Sequence, residues 1–141
     1  MRNRIISIIC YCFIAAICIS SCQSESELNY ARYFVNGKGI YEKHCLNCHA
    51  ANGEGLGMLI PPLTDTLFLK RNKSELSCII KYGQSGKISI NGKIYEGKMP
   101  GENHLANIEI AAVITYITNS FGNKQGLYDA NDVSKDLQEC R

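Results

Sequence analysis

The chain has 141 residues, 45% of them hydrophobic, which is enough for one packed domain and too little for two. Its formal net charge of +2 gives no reason to expect a nucleic-acid partner. Eight cysteines are many for this length, but their positions do not form one disulfide framework.

Residues 1–21 have the form of an export signal. Arg2 and Arg4 supply the positive start, Ile5 to Ile19 is mostly apolar and uncharged, and Ser20-Ser21 places small residues before Cys22. Ile19-Ser20-Ser21-Cys22 resembles a bacterial lipoprotein signal, with Cys22 as the lipidated first residue of the mature chain. The rival is an uncleaved membrane anchor, for which the apolar run is short against the ~20 residues a span needs. Either way the domain is expected outside the cytoplasm, tethered to a membrane, with the periplasmic face as its setting. Loss of Arg2 and Arg4 leaves 13 of the 15 basic side chains against 13 acidic ones. Residues 22–29 read as the lipidated cysteine and a polar tether reaching at most roughly 28 Å.

Residues 30–123 read as the domain proper. Tyr33, Phe34, Gly37, Tyr41 and Cys45 recur at steps of three and four, which predicts a helix from Tyr30 to Cys45. The alternative is a break at Asn36-Gly37. A glycine inside a helix costs on the order of 1 kcal/mol against alanine, so Gly37 suggests close approach by another element.

Cys45-Leu46-Asn47-Cys48-His49 is the most informative stretch. Two thiols at this spacing can each add to one vinyl group of a haem, with the adjacent imidazole as proximal iron ligand. A zinc site would want a second cysteine pair, and a thioredoxin-like redox pair would want βαβ flanks; the sequence shows neither. Gly53, Gly55 and Gly57 follow in a loop that could approach a ligand edge closely. The carbonyl groups of Pro61-Pro62 are candidates to hold the second ring nitrogen of His49.

Asn72-Lys73-Ser74-Glu75 has the form of a helix start, Leu76, Ile79 and Ile80 supply an apolar stripe, and Gly83 supplies a stop. Asn91-Gly92 predicts a hairpin of Lys87–Ile90 with Lys93–Tyr95. Ile110, Val113, Ile114, Ile117 and Phe121 mark a helix over Asn107–Phe121, and Asp129–Leu137 a short last helix in a C-terminal extension, residues 124–141. Between Lys70 and Lys98 lie Lys70, Arg71, Lys73, Lys81, Lys87, Lys93 and Lys98 against only Glu75 and Glu96, a possible docking face for an acidic partner or simply a solvated one.

Cys78 and Cys140 remain. An even pair outside the cytoplasm reads as a disulfide pinning the extension to the helix after Asn72. Two unpaired thiols, or a bridge between chains through Cys140, are the alternatives.

With these parts in order, Tyr30 to Asn123 resembles a class I monohaem cytochrome c. The resemblance implies an all-α fold of four to five helices around one covalent haem c, with a small β-hairpin before the distal loop. It implies that Cys45 and Cys48 bind the haem and His49 and Met99 ligate the iron. It also implies that the Pro61 carbonyl orients His49, that Leu63 contacts the haem, and that Val113 and Tyr116 pack against Gly37 and Tyr41. Among other candidates for the sixth position, Met58 reads as an apolar contact, His44 as solvent-facing, and His104 as a possible bis-histidine partner. Tyr82 and Tyr95 are candidates for the haem propionates.

The function expected is electron carriage without bond-making chemistry, between a quinol-oxidising complex and a terminal oxidase or other reductase. A permanently bound subunit of a redox enzyme is the alternative. A haem sensor or peroxidase would need an open sixth position, which Met99 would fill.

Overall fold

The computed structural model describes residues 24–140, with Arg4 and Ile6 of the N-terminal segment. The expected export signal and the lipidation position Cys22 lie outside the described residues. Among the described residues, no helix is long and apolar enough to cross a membrane.

Helix α1 spans Glu25–His44 without a break at Gly37. It starts earlier than the apolar periodicity indicates because Ser24 caps it: its hydroxyl accepts from the Glu27 N–H, and Glu25 and Glu27 favour the positive end of the helix dipole. Residues 25–29 are therefore helical, not an extended tether. The remaining elements are α2 (Leu46–His49), α3 (Thr66–Arg71), α4 (Glu75–Tyr82), β1 (Gly83–Gln84), β2 (Ile88–Ile90), β3 (Lys93–Tyr95), β4 (Met99–Pro100), α5 (Asn107–Ile117) and α6 (Ala130–Glu139). The architecture is the expected helical one with a small hairpin, in which Ile88 pairs with Tyr95 and Ile90 with Lys93. Asn91 and Gly92 turn it at positive φ (50° and 73°), as a two-residue loop requires.

Two features escaped the sequence. Helix α3 is capped by Asp65, whose Oδ1 accepts from the Phe68 N–H at 2.8 Å. Asn72, expected to start α4, instead closes α3: its Nδ2 donates to the Phe68 carbonyl at 2.8 Å. The second feature is the two-residue pair β1–β4, with Gln84 opposite Met99. Gly83 both ends α4 and admits this pairing, since a Cβ there would lie 2.5 Å from the Met99 carbonyl oxygen.

Helices α1 and α5 cross at Gly37. A Cβ on Gly37 would sit 1.9 Å from the Ala112 carbonyl oxygen and 2.9 Å from the Tyr116 Cβ. The crossing is therefore made by Ala112 and Tyr116; Val113, expected there, lines the cavity on the other side. Rings of Phe34, Tyr41, Tyr116 and Phe121 extend the contact at centroid distances of 5.3–5.8 Å. Helix α5 is buried nearly all round, Ala111, Ala112 and Thr115 included, and not on one face only. It ends at Ile117, sooner than Phe121. The Thr118 hydroxyl turns back to the Ile114 carbonyl at 2.7 Å, and Asn119 accepts from the N–H groups of Gln125 and Gly126.

Those bonds steer the chain into α6. The Asp129 carboxylate caps it, accepting from Asn131 and Asp132 N–H groups. The extension is part of the core: Val133 is fully buried, and the buried Asp136 carboxylate accepts from the hydroxyls of Ser77 (2.6 Å) and Tyr128. Burial, then the bond to Asp136, raises the Tyr128 hydroxyl above the usual tyrosine range. The sulfurs of Cys78 and Cys140 lie 1.99 Å apart, with Cα atoms 5.7 Å apart.

Gly37→Ala tests the crossing. Alanine gains about 1 kcal/mol in helix propensity, but its Cβ meets a backbone carbonyl that no rotamer change can move. Overpacking should win, with a net loss of up to about 2 kcal/mol in denaturant unfolding of the intact protein.

Candidate haem site

The site is built at the end of α2. His49 is the last residue of that short helix, and Ala50 leaves it at φ 63°. The Tyr41 hydroxyl, on α1, donates to the Ala50 carbonyl at 2.6 Å and so ties the turn after His49 to the helix before it. The chain then folds back on itself. The Gly55 N–H donates to the His49 carbonyl, and the Leu63 N–H to the Gly53 carbonyl. At Gly55 (φ +69°) a Cβ would lie 2.3 Å from the Ile60 carbonyl oxygen and 2.8 Å from that of Pro61. Only glycine lets the loop pass this close, and the result is a Pro61 carbonyl facing the imidazole.

His49 Nδ1 lies 3.2 Å from the Pro61 carbonyl oxygen. A carbonyl can only accept, so Nδ1 carries the proton and Nε2 keeps its lone pair. Burial pushes the His49 pKa below the usual histidine range, and the bond to Pro61 only partly opposes this. The ring is thus held neutral and oriented, as a metal ligand must be.

His49 opens on a cavity of about 370 Å³. Cys45, Cys48, Pro61, Leu63 and Met99 line it together with His49, and so do Leu69, Ile80, Ile90, Tyr95, Val113 and Ile117. Leu63 is fixed through its carbonyl, which accepts from Asn123 Nδ2 at 2.9 Å, a bond for which the sequence offered little signal. Met99 is held by the backbone pairing of β4 with β1. The Cys45 thiol is pushed up to about 12 by burial, then by the charges of Glu102 and Cys48. That is opposite to the depressed thiol of a redox-active cysteine pair. Two cysteines, a neutral imidazole, a thioether and apolar walls fit a covalently held haem.

Several other candidates fall elsewhere. Met58 is 59% exposed and does not line the cavity. Tyr82 is exposed and outside it, whereas Tyr95 is buried in its wall. His104 is outside as well. His44 is not solvent-facing: it lines the cavity, with its Nδ1 3.3 Å from Glu102 Oε2. Gly53, Gly55 and Gly57 do not reach the cavity. Gly53 packs on the Phe121 ring and Gly55 on carbonyls, so their close approaches are to protein. The basic stretch is partly committed to the fold. Lys81 Nζ donates to the Leu105 carbonyl, Lys73 to that of Gln125, and Lys87 pairs with Glu96 at 2.9 Å.

A family profile for cytochrome c matches residues 34–120, which hold the crossing helices, the cysteine pair, His49 and Met99. The chain belongs to the cytochrome c family. Its cofactor is haem c, covalently bound with one iron, in the cytochrome c fold, and its function is electron transfer. A cytochrome c-552 of Thermus thermophilus is 33% identical over 92 residues, covering 62% of this cytochrome and 70% of the relative. A second cytochrome c-552, from a named strain of the same organism, matches at the same identity over 62% of its own length. The cytochrome c subunit of a quinone alcohol dehydrogenase from Gluconobacter oxydans is 28% identical over 117 residues. That match covers 80% of this cytochrome but only 24% of the relative, so the present chain spans about a quarter of that subunit.

Proposed function

We propose that this cytochrome is an extracytoplasmic, membrane-tethered electron carrier of a respiratory chain. In this reading Cys45 and Cys48 would hold the haem by thioethers, and His49 and Met99 would ligate its iron. The observation that carries it is that both cysteines, the oriented imidazole and the Met99 side chain line one apolar cavity. A haem bound there supplies a one-electron ferric–ferrous couple. The protein's part is to keep that couple dry and its ligands still. Pro61 fixes the His49 ring, β1 fixes the strand bearing Met99, and Leu63 and Val113 exclude water from the cavity. Thioether ligation favours the ferrous state relative to a second histidine. A filled sixth position also opposes oxygen chemistry, which argues against a sensor or peroxidase.

The partners in this reading are a quinol-oxidising complex on one side and a terminal oxidase or other reductase on the other. Lipidation at Cys22 would leave only Gln23 and Ser24 before α1, holding the domain close to the bilayer. A second reading, a permanent subunit of a redox enzyme, is supported by the likeness to cytochrome c subunits of quinone alcohol dehydrogenases, one from Komagataeibacter europaeus being 34% identical over 104 residues. We also assign Cys78 and Cys140 to a disulfide. Their Cα separation of 5.7 Å is that of a bridged pair, and α6 packs beside α4 independently of it, through Asp136.

Four outcomes are expected. Acid-acetone extraction should leave the haem on the wild-type chain and find none on Cys45→Ala/Cys48→Ala. In the same series Met99→Ala should abolish the weak near-infrared sulfur-to-iron band and lower the potential, while Met58→Ala changes neither; freely extracted haem, or an intact band in Met99→Ala, refutes the ligand set. Mild detergent extraction should release a monomer from membranes, whereas a stable complex would favour the subunit reading and recovery without detergent would remove the tether. Digestion without reduction should yield a joined Cys78–Cys140 peptide, worth about 2–4 kcal/mol to stability when compared with Cys78→Ser/Cys140→Ser; separate alkylatable peptides would refute the bridge.

A further inference from the structure

At the rim of the haem cavity, three side chains converge that the electron-transfer reading does not use. His44 closes α1, and Glu102 and His104 lie in the loop between β4 and α5. Glu102 Oε2 is 3.3 Å from His44 Nδ1 and 3.5 Å from His104 Nδ1. All three donor atoms lie within 4.8 Å of one another, and the two rings are 5.1 Å apart at their centroids.

These spacings are informative. A charge-assisted N–H···O bond closes to about 2.7–2.9 Å, and neither contact does so. Tetrahedral zinc, with ligand bonds of about 2.0–2.2 Å to nitrogen and carboxylate oxygen, sets neighbouring ligand atoms about 3.4 Å apart. Both contacts match that edge, and both imidazoles turn the same nitrogen toward one carboxylate oxygen. One carboxylate oxygen between two imidazole nitrogens is an ordinary donor set for a divalent ion.

The backbone behind the donors is fixed. The Glu102 N–H donates to the Ile80 carbonyl at 2.8 Å, and the Leu105 N–H to the Glu102 carbonyl. Leu105 is buried, and its own carbonyl accepts from Lys81 Nζ at 2.7 Å. His44 is set by the last turn of α1, directly before Cys45. The side chains of His44 and Glu102 are 18% and 22% exposed, and that of His104 is 58% exposed. Two donors thus form a wall and the third an open arm.

We propose that His44, Glu102 and His104 form a binding site for a borderline divalent transition-metal ion, with Zn²⁺ as the representative, at the edge of the haem cavity. Bound there, the ion joins the end of α1 to the loop that follows Met99. This site does not depend on which residues ligate the haem iron. The test is calorimetric titration of the untagged holoprotein with Zn²⁺, in which thioether formation removes Cys45 and Cys48 as competing ligands. One ion per chain is expected, with affinity lowered at least about tenfold in His104→Gln and in Glu102→Gln, the loss that even a supporting group brings. His104 is largely exposed, so its replacement leaves the fold intact. Cu²⁺ used as a paramagnetic probe should show nitrogen hyperfine coupling from two imidazoles in the wild type and from one in His104→Gln. Absence of saturable one-to-one binding, or equal affinity in wild type and His104→Gln, overturns the proposal.

Discussion

The whole molecule depends on the backbone contact between Gly37 and the Ala112 carbonyl. Two helices carrying side chains at their crossing keep their axes about 8–10 Å apart; a glycine at the crossing point lets them come closer. Here the hydrogen on Gly37 occupies space that a methyl group could not share with Ala112. The close crossing packs Tyr116 on Tyr41 and turns Val113 and Ile117 toward the cavity. The cavity is what remains between α5, the end of α1 and the loops that return from His49 and Met99. A helix glycine is costly in isolation, and it persists because the packing it permits outweighs that cost.

Around the haem site, three hydrogen bonds to backbone carbonyls hold the wall. His49 is oriented by Pro61, Ala50 by Tyr41, Leu63 by Asn123. Each of these bonds fixes a backbone or ring at the cavity wall, where a wrong orientation would move a ligand or admit water. The three acceptors are backbone carbonyls, which stay in place whatever side chains surround them. The glycine-rich loop serves the same end. Its glycines bring the chain back close enough for the Pro61 carbonyl to reach the imidazole, and they make no contact with the cavity themselves.

The C-terminal extension is a second layer of support. Its carboxylate Asp136, buried against Ser77 and Tyr128, joins α4 to α6, while Val133 fills the space beside α5. A buried carboxylate is expensive unless hydrogen-bonded, and the two hydroxyls supply those bonds. Cys78 and Cys140 meet at the outer edge of the same contact. The extension thus braces α4, the helix whose end passes directly into the strand that holds Met99.

Local chemistry was legible in the sequence. The Cys45–His49 spacing, the Asn91-Gly92 turn, the apolar positions of α5 and the Asp129 cap all act over a few residues, and backbone and bonding geometry leave them little choice. The all-α class, the covalent haem and the electron-transfer role came with the family resemblance that those parts carry in that order. What acts between distant residues was not legible. Periodicity could not show that Ala112 and not Val113 meets Gly37, because the apolar positions run nearly all round α5 and leave its rotation about its own axis open. Asn72 read as the start of α4 and closes α3 instead, since Asn suits either end of a helix. His44 read as exposed because nothing near it in the chain covers it; Glu102, distant in the sequence, does so. Short-range signals survive any tertiary arrangement, whereas helix rotation, cavity walls and converging side chains exist only once packing has chosen one arrangement.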